Sequence, residues 1–337
     1  MFGKMMNSFY YGKSGKGDFR KEDLPTNRWQ LFWEMLRVRL SGLVRLNVIT
    51  MIAWLPLIIV IGSCISNILN AVITFSDYNN YLLTGEMGNL TEQMIAQLAT
   101  IESMEDFLLV TTLQALSNLG VFLIPAIAVT GPVQAGMAYV TRNWARDEHA
   151  FVWADFKDAL KENWKQGLGV SLISGFVPIV TVVCYRFYGE KAAESAFFII
   201  PQMVTVILAF VWYLGTTFMY PLMVQYNMKF GAVVKNGIMM AVARLPQTVG
   251  LRILMLLPIA IAGTVLYFTG HLLSLVVLAG YYLFLGFALS RFVYASFTNG
   301  VFDKYINSHM EGVQINRGLA SDDDDDEEET ETESLPQ

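Results

Sequence analysis

Residues 46–69 read LNVITMIAWLPLIIVIGSCISNIL, a run without a single charged side chain. A helix needs about 20 consecutive apolar residues to cross the hydrocarbon core of a bilayer, because lipid offers its backbone no hydrogen-bond partner. This run therefore predicts a membrane-spanning helix. The whole chain agrees: of its 337 residues, 54% are hydrophobic and 15% are charged, whereas about a quarter are charged in average soluble proteins. This balance argues against an ordinary soluble enzyme.

Further charge-free runs predict five more spans. Residues 107–129 and 196–224 are each long enough for one crossing, and residues 167–183 form a shorter run. Residues 253–290 are too long for one crossing, and the polar His271 interrupts them near the middle. We interpret this last run as a hairpin of two spans. The predicted fold is therefore all-α, a polytopic helical membrane protein with six transmembrane helices.

Lysine and arginine are unevenly shared between the segments that connect these spans. When the segments are numbered from the N-terminus, the odd-numbered ones together hold 21 of the 23 basic residues, and the even-numbered ones hold two. Short basic segments resist translocation, so both termini are predicted to lie in the cytoplasm, with the acidic connection 70–106 outside the cell membrane. A five-span alternative, in which residues 253–290 cross once, would put the C-terminal bases outside, and the charge bias disfavours it.

The same pattern divides the chain into four parts. Residues 1–45 are predicted as a basic cytoplasmic segment with an amphipathic helix, and residues 46–290 as the six-span membrane domain. Residues 291–320 follow as a cytoplasmic segment. Residues 321–337 form a tail with ten acidic and no basic side chains, which is typical of disorder. The tail is either a solubilising end or a segment that contacts a basic surface.

An amphipathic helix is predicted over residues 151–166, on the cytoplasmic side. Its aromatic and aliphatic residues recur at steps of three and four, which places them on one helical stripe; they are Trp153, Phe156, Leu160 and Trp164. This stripe either packs against the bundle or the headgroup boundary, or it docks a partner. We take these four residues as the candidate partner contact.

Similar amphipathic segments precede two other spans. Residues 28–45 place Phe32 and Leu36 on a stripe that aligns with Phe156 and Leu160, and residues 231–252 form a weaker third copy. Three repeats of a cytoplasmic helix followed by a membrane hairpin would account for six spans.

The predicted spans contain polar but no ionisable side chains. The polar ones in or near the spans are Asn47, Asn67, Asn70, Gln114, Asn118 and Gln202. They either form hydrogen bonds between helices or line a polar path. Prolines recur in the same spans, and they either kink otherwise intact helices or mark the broken helices of a transporter site.

Catalytic and metal-binding patterns are absent from the sequence. The three histidines stand in different segments, and the two cysteines, Cys64 and Cys184, lack the paired spacing of a zinc site. Residues 12–17 contain Gly-Lys pairs but not the spacing of a phosphate-binding loop. We therefore predict no enzyme activity, no cofactor and no metal site.

The segment from Gly131 to Gln166 resembles a known family. Its residues Gly131-Pro132, Ala135-Gly136, Arg146-Asp147-Glu148, Trp153-x-Asp155-Phe156 and Lys161-Glu162-Asn163-Trp164 look like the signature of the YesL-like integral membrane proteins of low-GC Gram-positive bacteria. That family is largely uncharacterised and is often encoded beside carbohydrate ABC importers and their regulators. The resemblance implies an accessory role in sugar uptake or its sensing.

Two functions follow as hypotheses. The first is a non-enzymatic accessory membrane protein that binds or regulates a carbohydrate ABC importer. Its expected partners are membrane lipids and either importer permease subunits or a sensor kinase, with no nucleic acid. The alternative is a permease or channel subunit that itself moves a small polar solute.

Overall fold

A computed structural model describes residues 25–100 and 103–319 of the chain. Within these ranges the chain is helical and contains no β-strand, which confirms the all-α prediction. The helices are α1 (Arg28–Thr84), α2 (Glu92–Leu98), α3 (Met104–Trp144), α4 (Val152–Ala192), α5 (Ile199–Gln225), α6 (Phe230–Ala243), α7 (Leu245–Thr269), α8 (Leu273–Tyr281) and α9 (Phe287–Tyr305). The basic arm before residue 25 and the predicted tail 321–337 lie outside the described residues.

Six helical segments in the described part of the chain are long and apolar enough to cross a membrane. They are Arg28–Thr84, Phe122–Trp144, Val152–Ala192, Ala196–Gln225, Leu245–Thr269 and Leu273–His309. The prediction of a multi-pass protein with six spans is confirmed. The hairpin in residues 253–290 is also confirmed: α7 ends at Thr269, Gly270 follows with a left-handed φ of 68°, and α8 begins at Leu273.

The helices run far beyond the predicted spans. The amphipathic segment before the first span and that span itself form one helix, α1, of 57 residues. In the same way, α4 joins the predicted helix 151–166 to the span that follows it. Backbone hydrogen bonds continue wherever no breaker intervenes, irrespective of whether the side chains are charged. The hydropathy pattern therefore bounds the charge-free part of a helix, not the helix itself.

The helix that carries the second predicted span also continues past the end of that span. The charge-free run stops at residue 129, whereas α3 continues to Trp144 and includes the first part of the Gly131–Gln166 signature. The connection between α3 and α4 shrinks to residues 145–151.

Prolines do not interrupt these helices. Pro56, Pro125, Pro178, Pro221 and Pro258 all lie inside continuous helices. Neighbouring helices in a membrane bundle can satisfy the backbone groups that a proline frees. The structure therefore supports the view that these prolines shape intact helices.

The chain divides into two compact units. Of the described residues, unit 1 comprises 25–50, 134–164 and 214–319, and unit 2 comprises 51–100, 103–133 and 165–213. The division does not follow the segments read from hydropathy, because residues 46–290 contribute to both units.

The core of unit 1 depends on the close approach of α1 to Trp144 and on the buried side-chain amide of Asn47. A Cβ on Gly42 would lie 2.9 Å from the Trp144 ring, so only glycine lets α1 approach this buried tryptophan so closely. Asn47 is fully buried. Its Nδ2 donates to the carbonyl oxygens of Tyr282 and Leu283, both at 2.8 Å, and its Oδ1 accepts from the backbone N–H of Ala288 at 2.9 Å.

These bonds meet a π-helical turn, Tyr282–Gly286, which separates α8 from α9. A π turn disturbs the regular backbone bonding of an α-helix, and in a membrane the displaced groups need another partner. The Asn47 amide supplies it.

In unit 2, α3 and α4 touch through their backbones. A Cβ on Gly131 would lie 2.1 Å from the Gly167 carbonyl oxygen. The buried Ser171 donates to the Ala128 carbonyl oxygen at 2.8 Å. Small residues at such crossings are typical of helix packing in membranes.

One pair of residues in the structure agrees with the proposed repeat. In the alignment of the first two copies, Asn47 corresponds to Ser171, and both are buried side chains that bond to another helix. In the third copy the amphipathic helix α6 is separate, because α7 begins anew after Arg244 with Pro246 in its first turn. The repeat itself stays a prediction.

Candidate functional site

The predicted partner contact on α4 splits into buried and exposed residues. Trp153 and Trp164 are exposed, at 59% and 46%, whereas Phe156 is 5% exposed and Leu160 is half-buried. A Cβ on Gly136 would come within 2.7 Å of the Phe156 ring. Phe156 thus packs on α3 inside unit 1, and the two tryptophans are the members of the stripe that offer open surface.

Three aromatic side chains at the starts of α1 and α4, which the stripe did not include, are also exposed. Trp29 and Trp33 lie in the first turns of α1, and Phe151 directly precedes α4; they are exposed at 68%, 45% and 66%. A sequence signal existed for two of them, since Trp29 lies three residues before Phe32 and Trp33 three residues before Leu36, which is helical spacing. Together with Trp153 and Trp164, these residues are named the exposed aromatic set.

A buried carboxylate ties the start of α1 to the C-terminal part of unit 1. Arg28 Nη2 donates to Asp303 Oδ2 at 2.6 Å, and Asn307 Nδ2 donates to Asp303 Oδ1 at 2.5 Å. The Asn316 backbone N–H also donates to Asp303 Oδ2, at 3.1 Å. Tyr226 donates to Asn307 Oδ1 at 2.7 Å. Burial and the nearby Asp303 charge raise the pKa of Tyr226, so this phenol stays protonated as a donor.

A second charged group surrounds the connection between α3 and α4. Glu148 forms ion pairs with Arg146 at 3.4 Å and with Arg317 at 2.8 Å. Asp147 lies 3.7 Å from Arg39 and has a left-handed φ of 55°. Burial raises the pKa of Asp147, although the Arg39 charge acts in the opposite direction. These ion pairs hold the connection 145–151 against the start of α1 and the C-terminal segment within unit 1.

Two arginines border the last predicted charge-free run and lie on the helices that carry it. Arg252 lies on α7 and Arg291 on α9, because both helices extend beyond residues 253–290. The Arg252 guanidinium lies 4.9 Å from the centre of the Tyr294 ring, and that of Arg291 lies 4.6 Å from the Tyr220 ring. Aromatic faces attract such cations.

Hydroxyl and amide oxygens complete the surroundings of these arginines. Arg252 donates to Thr217 Oγ1 at 2.9 Å and to Thr216 Oγ1 at 2.7 Å. Arg291 donates to Gln134 Oε1. Aromatic rings, hydroxyl groups and an amide oxygen thus surround these guanidinium groups.

The polar residues of the predicted spans divide into two kinds. Asn47 and Gln202 form hydrogen bonds between helices, the latter from Nε2 to the Tyr185 carbonyl oxygen at 3.1 Å. Asn67, Asn70 and Gln114 instead line one cavity of about 480 Å³ in unit 2. The side chain of Asn118 lies outside the described residues.

Comparison with known protein families gives a match for only part of this chain. A family model described as "Protein of unknown function, DUF624" matches residues 107–185, which take in most of α3 and α4. No curated protein matches the chain, and no solved structure matches it. The match covers the Gly131–Gln166 signature, while the YesL-like name stays a prediction. The chain is a multi-pass helical membrane protein that matches, over residues 107–185, a family of uncharacterised membrane proteins.

Proposed function

We propose that this chain is a non-enzymatic accessory protein of the cell membrane that binds another membrane protein through the exposed aromatic set. The observation that carries the proposal is the exposure of Trp153 and Trp164 beside a buried Phe156 on the same stripe. Large rigid aromatic side chains are enriched in the cores of protein interfaces. The resemblance of the Gly131–Gln166 segment favours, as the partner, a permease subunit of a carbohydrate ABC importer or its sensor kinase.

The proposal includes an orientation with both termini in the cytoplasm. It is supported by the distribution of 21 of 23 basic residues on one set of segments. In this orientation the exposed aromatic set lies at the cytoplasmic boundary of the membrane. Tryptophans concentrate in that boundary layer, so membrane lipid is its neighbour wherever the partner does not cover it.

Affinity purification of matched variants tests the proposal. The tagged protein would be expressed in its native host, cross-linked in the membrane, and purified as wild type, Trp153→Ala/Trp164→Ala or Phe197→Ala. Phe197 is an exposed aromatic residue of unit 2, at 69%, and serves as the control. We expect a permease or sensor kinase at near-equal stoichiometry with wild type and Phe197→Ala, and its loss with the tryptophan variant. Recovery of the chain alone from native membranes would contradict the proposal.

A second candidate function, a permease or channel subunit, is favoured by Arg252 and Arg291. Ionisable side chains on spanning helices commonly mark transport paths. The test is accumulation of a labelled neutral solute in liposomes that contain only the purified chain. Uptake above the leak of empty liposomes, lost in Arg291→Met, would favour this function over the accessory role.

A further inference from the structure

The cavity in unit 2 has an uncharged, hydrogen-bonding wall. Its polar lining comes from four amides and two hydroxyls: Asn67, Asn70 and Thr74 on α1, Gln97 on α2, and Thr111 and Gln114 on α3. No Asp, Glu, Lys or Arg of the described residues is among the lining. The other lining residues are apolar, with Phe107 as the aromatic one.

The frame of the cavity is well packed. Tyr78, Leu90 and Leu98 form a buried cluster against which Met94 and Phe107 pack. The rings of Phe75 and Phe107 stack with their centres 5.7 Å apart. This apolar cluster packs the short helix α2 against α1 and α3, the three helices that carry the polar lining residues of the cavity.

The four amide residues are exposed to solvent and have no partner within the described part of the protein, so a ligand that covers them must replace the hydrogen bonds of water. Asn67, Asn70, Gln97 and Gln114 form no side-chain hydrogen bond there, in contrast to Asn47 and Gln202. Each amide offers one carbonyl acceptor and two N–H donors. A cavity lined in this way presents both kinds of group to whatever enters it.

These properties select the ligand. An ion would lose hydration without gaining a counter-charge from the described lining residues. A wholly apolar ligand would leave the amides unsatisfied, which is costly. An uncharged polyhydroxyl ring satisfies both conditions, because its hydroxyl groups donate and accept while its C–H face can lie on Phe107. The volume falls within the usual range of about 300–1,000 Å³ for small-molecule sites.

We propose that this cavity binds an uncharged polyhydroxyl group, either a free sugar or the headgroup of a glycolipid. The inference goes beyond the proposed function, because it concerns unit 2 and needs no partner protein. In the proposed orientation the cavity opens on the outer side of the membrane, where a sugar arrives from solvent and a glycolipid headgroup from the outer leaflet.

The experiment uses the full chain in nanodiscs, after purification in a detergent without sugar. One arm adds maltose and measures saturation-transfer-difference NMR on its protons. The other arm includes a glucosyl diacylglycerol in the disc and counts bound lipids by native mass spectrometry. Glucuronate and glucosamine are the charged probes. The variants are Asn70→Leu/Gln97→Leu, the single Gln97→Leu as a milder change, and Asn79→Leu as a control at an exposed asparagine of α1 outside the cavity.

We expect binding in at least one arm, and that arm identifies the source of the ligand. The double variant should bind about 30-fold more weakly, which corresponds to two lost hydrogen bonds and about 2 kcal/mol at about 1.4 kcal/mol per tenfold. Gln97→Leu should show a smaller loss, and Asn79→Leu none. Trp153→Ala should also bind normally, which separates this inference from the proposed function.

Three results would overturn the inference. The first is no binding in either arm with millimolar sugar or an excess of glycolipid. The second is undiminished binding by a folded double variant and by Gln97→Leu. The third is equal binding of glucuronate or glucosamine and the neutral sugar, since a charged ligand has no counter-charge in this wall.

Discussion

Replacing Asn47 with leucine removes the side chain that joins α1 to the π-helical turn before α9. Three hydrogen bonds disappear, to Tyr282, Leu283 and Ala288, and the site is fully buried, so water cannot replace them. Hydrogen bonds between membrane helices contribute about 0.6–1 kcal/mol each. We therefore expect Asn47→Leu to lower the free energy of unfolding by about 2–3 kcal/mol.

The assay is unfolding by SDS titration in mixed micelles, followed by far-UV circular dichroism. Asn67→Leu is the matched control, because it makes the same chemical change on the same helix at an amide without an intramolecular partner. Its stability should be unchanged or slightly higher. A loss below about 0.5 kcal/mol for Asn47→Leu, which is the scatter of surface substitutions, would refute the reasoning, as would equal losses in both variants.

Three further predictions use the same unfolding assay. Gly131→Ala should lose at least about 1–3 kcal/mol, because its Cβ would overlap the backbone of α4, whereas Gly62→Ala should gain up to about 1 kcal/mol, because nothing lies near its Cβ. Asp303→Ala should lose about 2–3 kcal/mol and speed amide exchange over residues 306–319, because Arg28 loses its buried acceptor. Because the pKa of Asp147 is raised in the folded protein, the stability that its protonated form contributes is full below the ordinary pKa of 3.8 and is lost as the pH rises through the raised pKa. Asp147→Asn should therefore flatten the dependence of the unfolding free energy on pH above about 4. An unchanged slope would contradict this.

Much of the fold follows from the sequence because lipid leaves the backbone so few choices. Charge-free runs locate six spans, and the break at His271 is where α7 and α8 separate. The ends of the helices do not follow in the same way. A charged residue such as Arg252 stops a hydropathy run, yet it continues a helix when rings and hydroxyls of neighbouring helices surround its guanidinium.

The sequence predicts that the candidate partner contact forms one helical stripe, but it does not predict which residues of the stripe are exposed. Periodicity places Trp153, Phe156 and Trp164 on one side of α4. It does not say which of them meets Gly136, because that depends on the crossing of α3 and α4, which is a tertiary contact. The sequence could therefore name the correct helix, while the division into buried and exposed members needed the packed structure.

Three polar environments in the described spans separate structural from ligand-binding roles. Asn47 bonds to backbone groups of the π-helical turn, and its removal would leave these groups without a hydrogen-bond partner. Arg291 is held by the Tyr220 ring and the Gln134 oxygen. Asn70 and Gln97 have no such partner, although a polar group in or beside a membrane gains from one. The contacts of Asn47 and Arg291 thus lie within the fold, whereas Asn70 and Gln97 have no partner among the described residues and remain available to the proposed ligand.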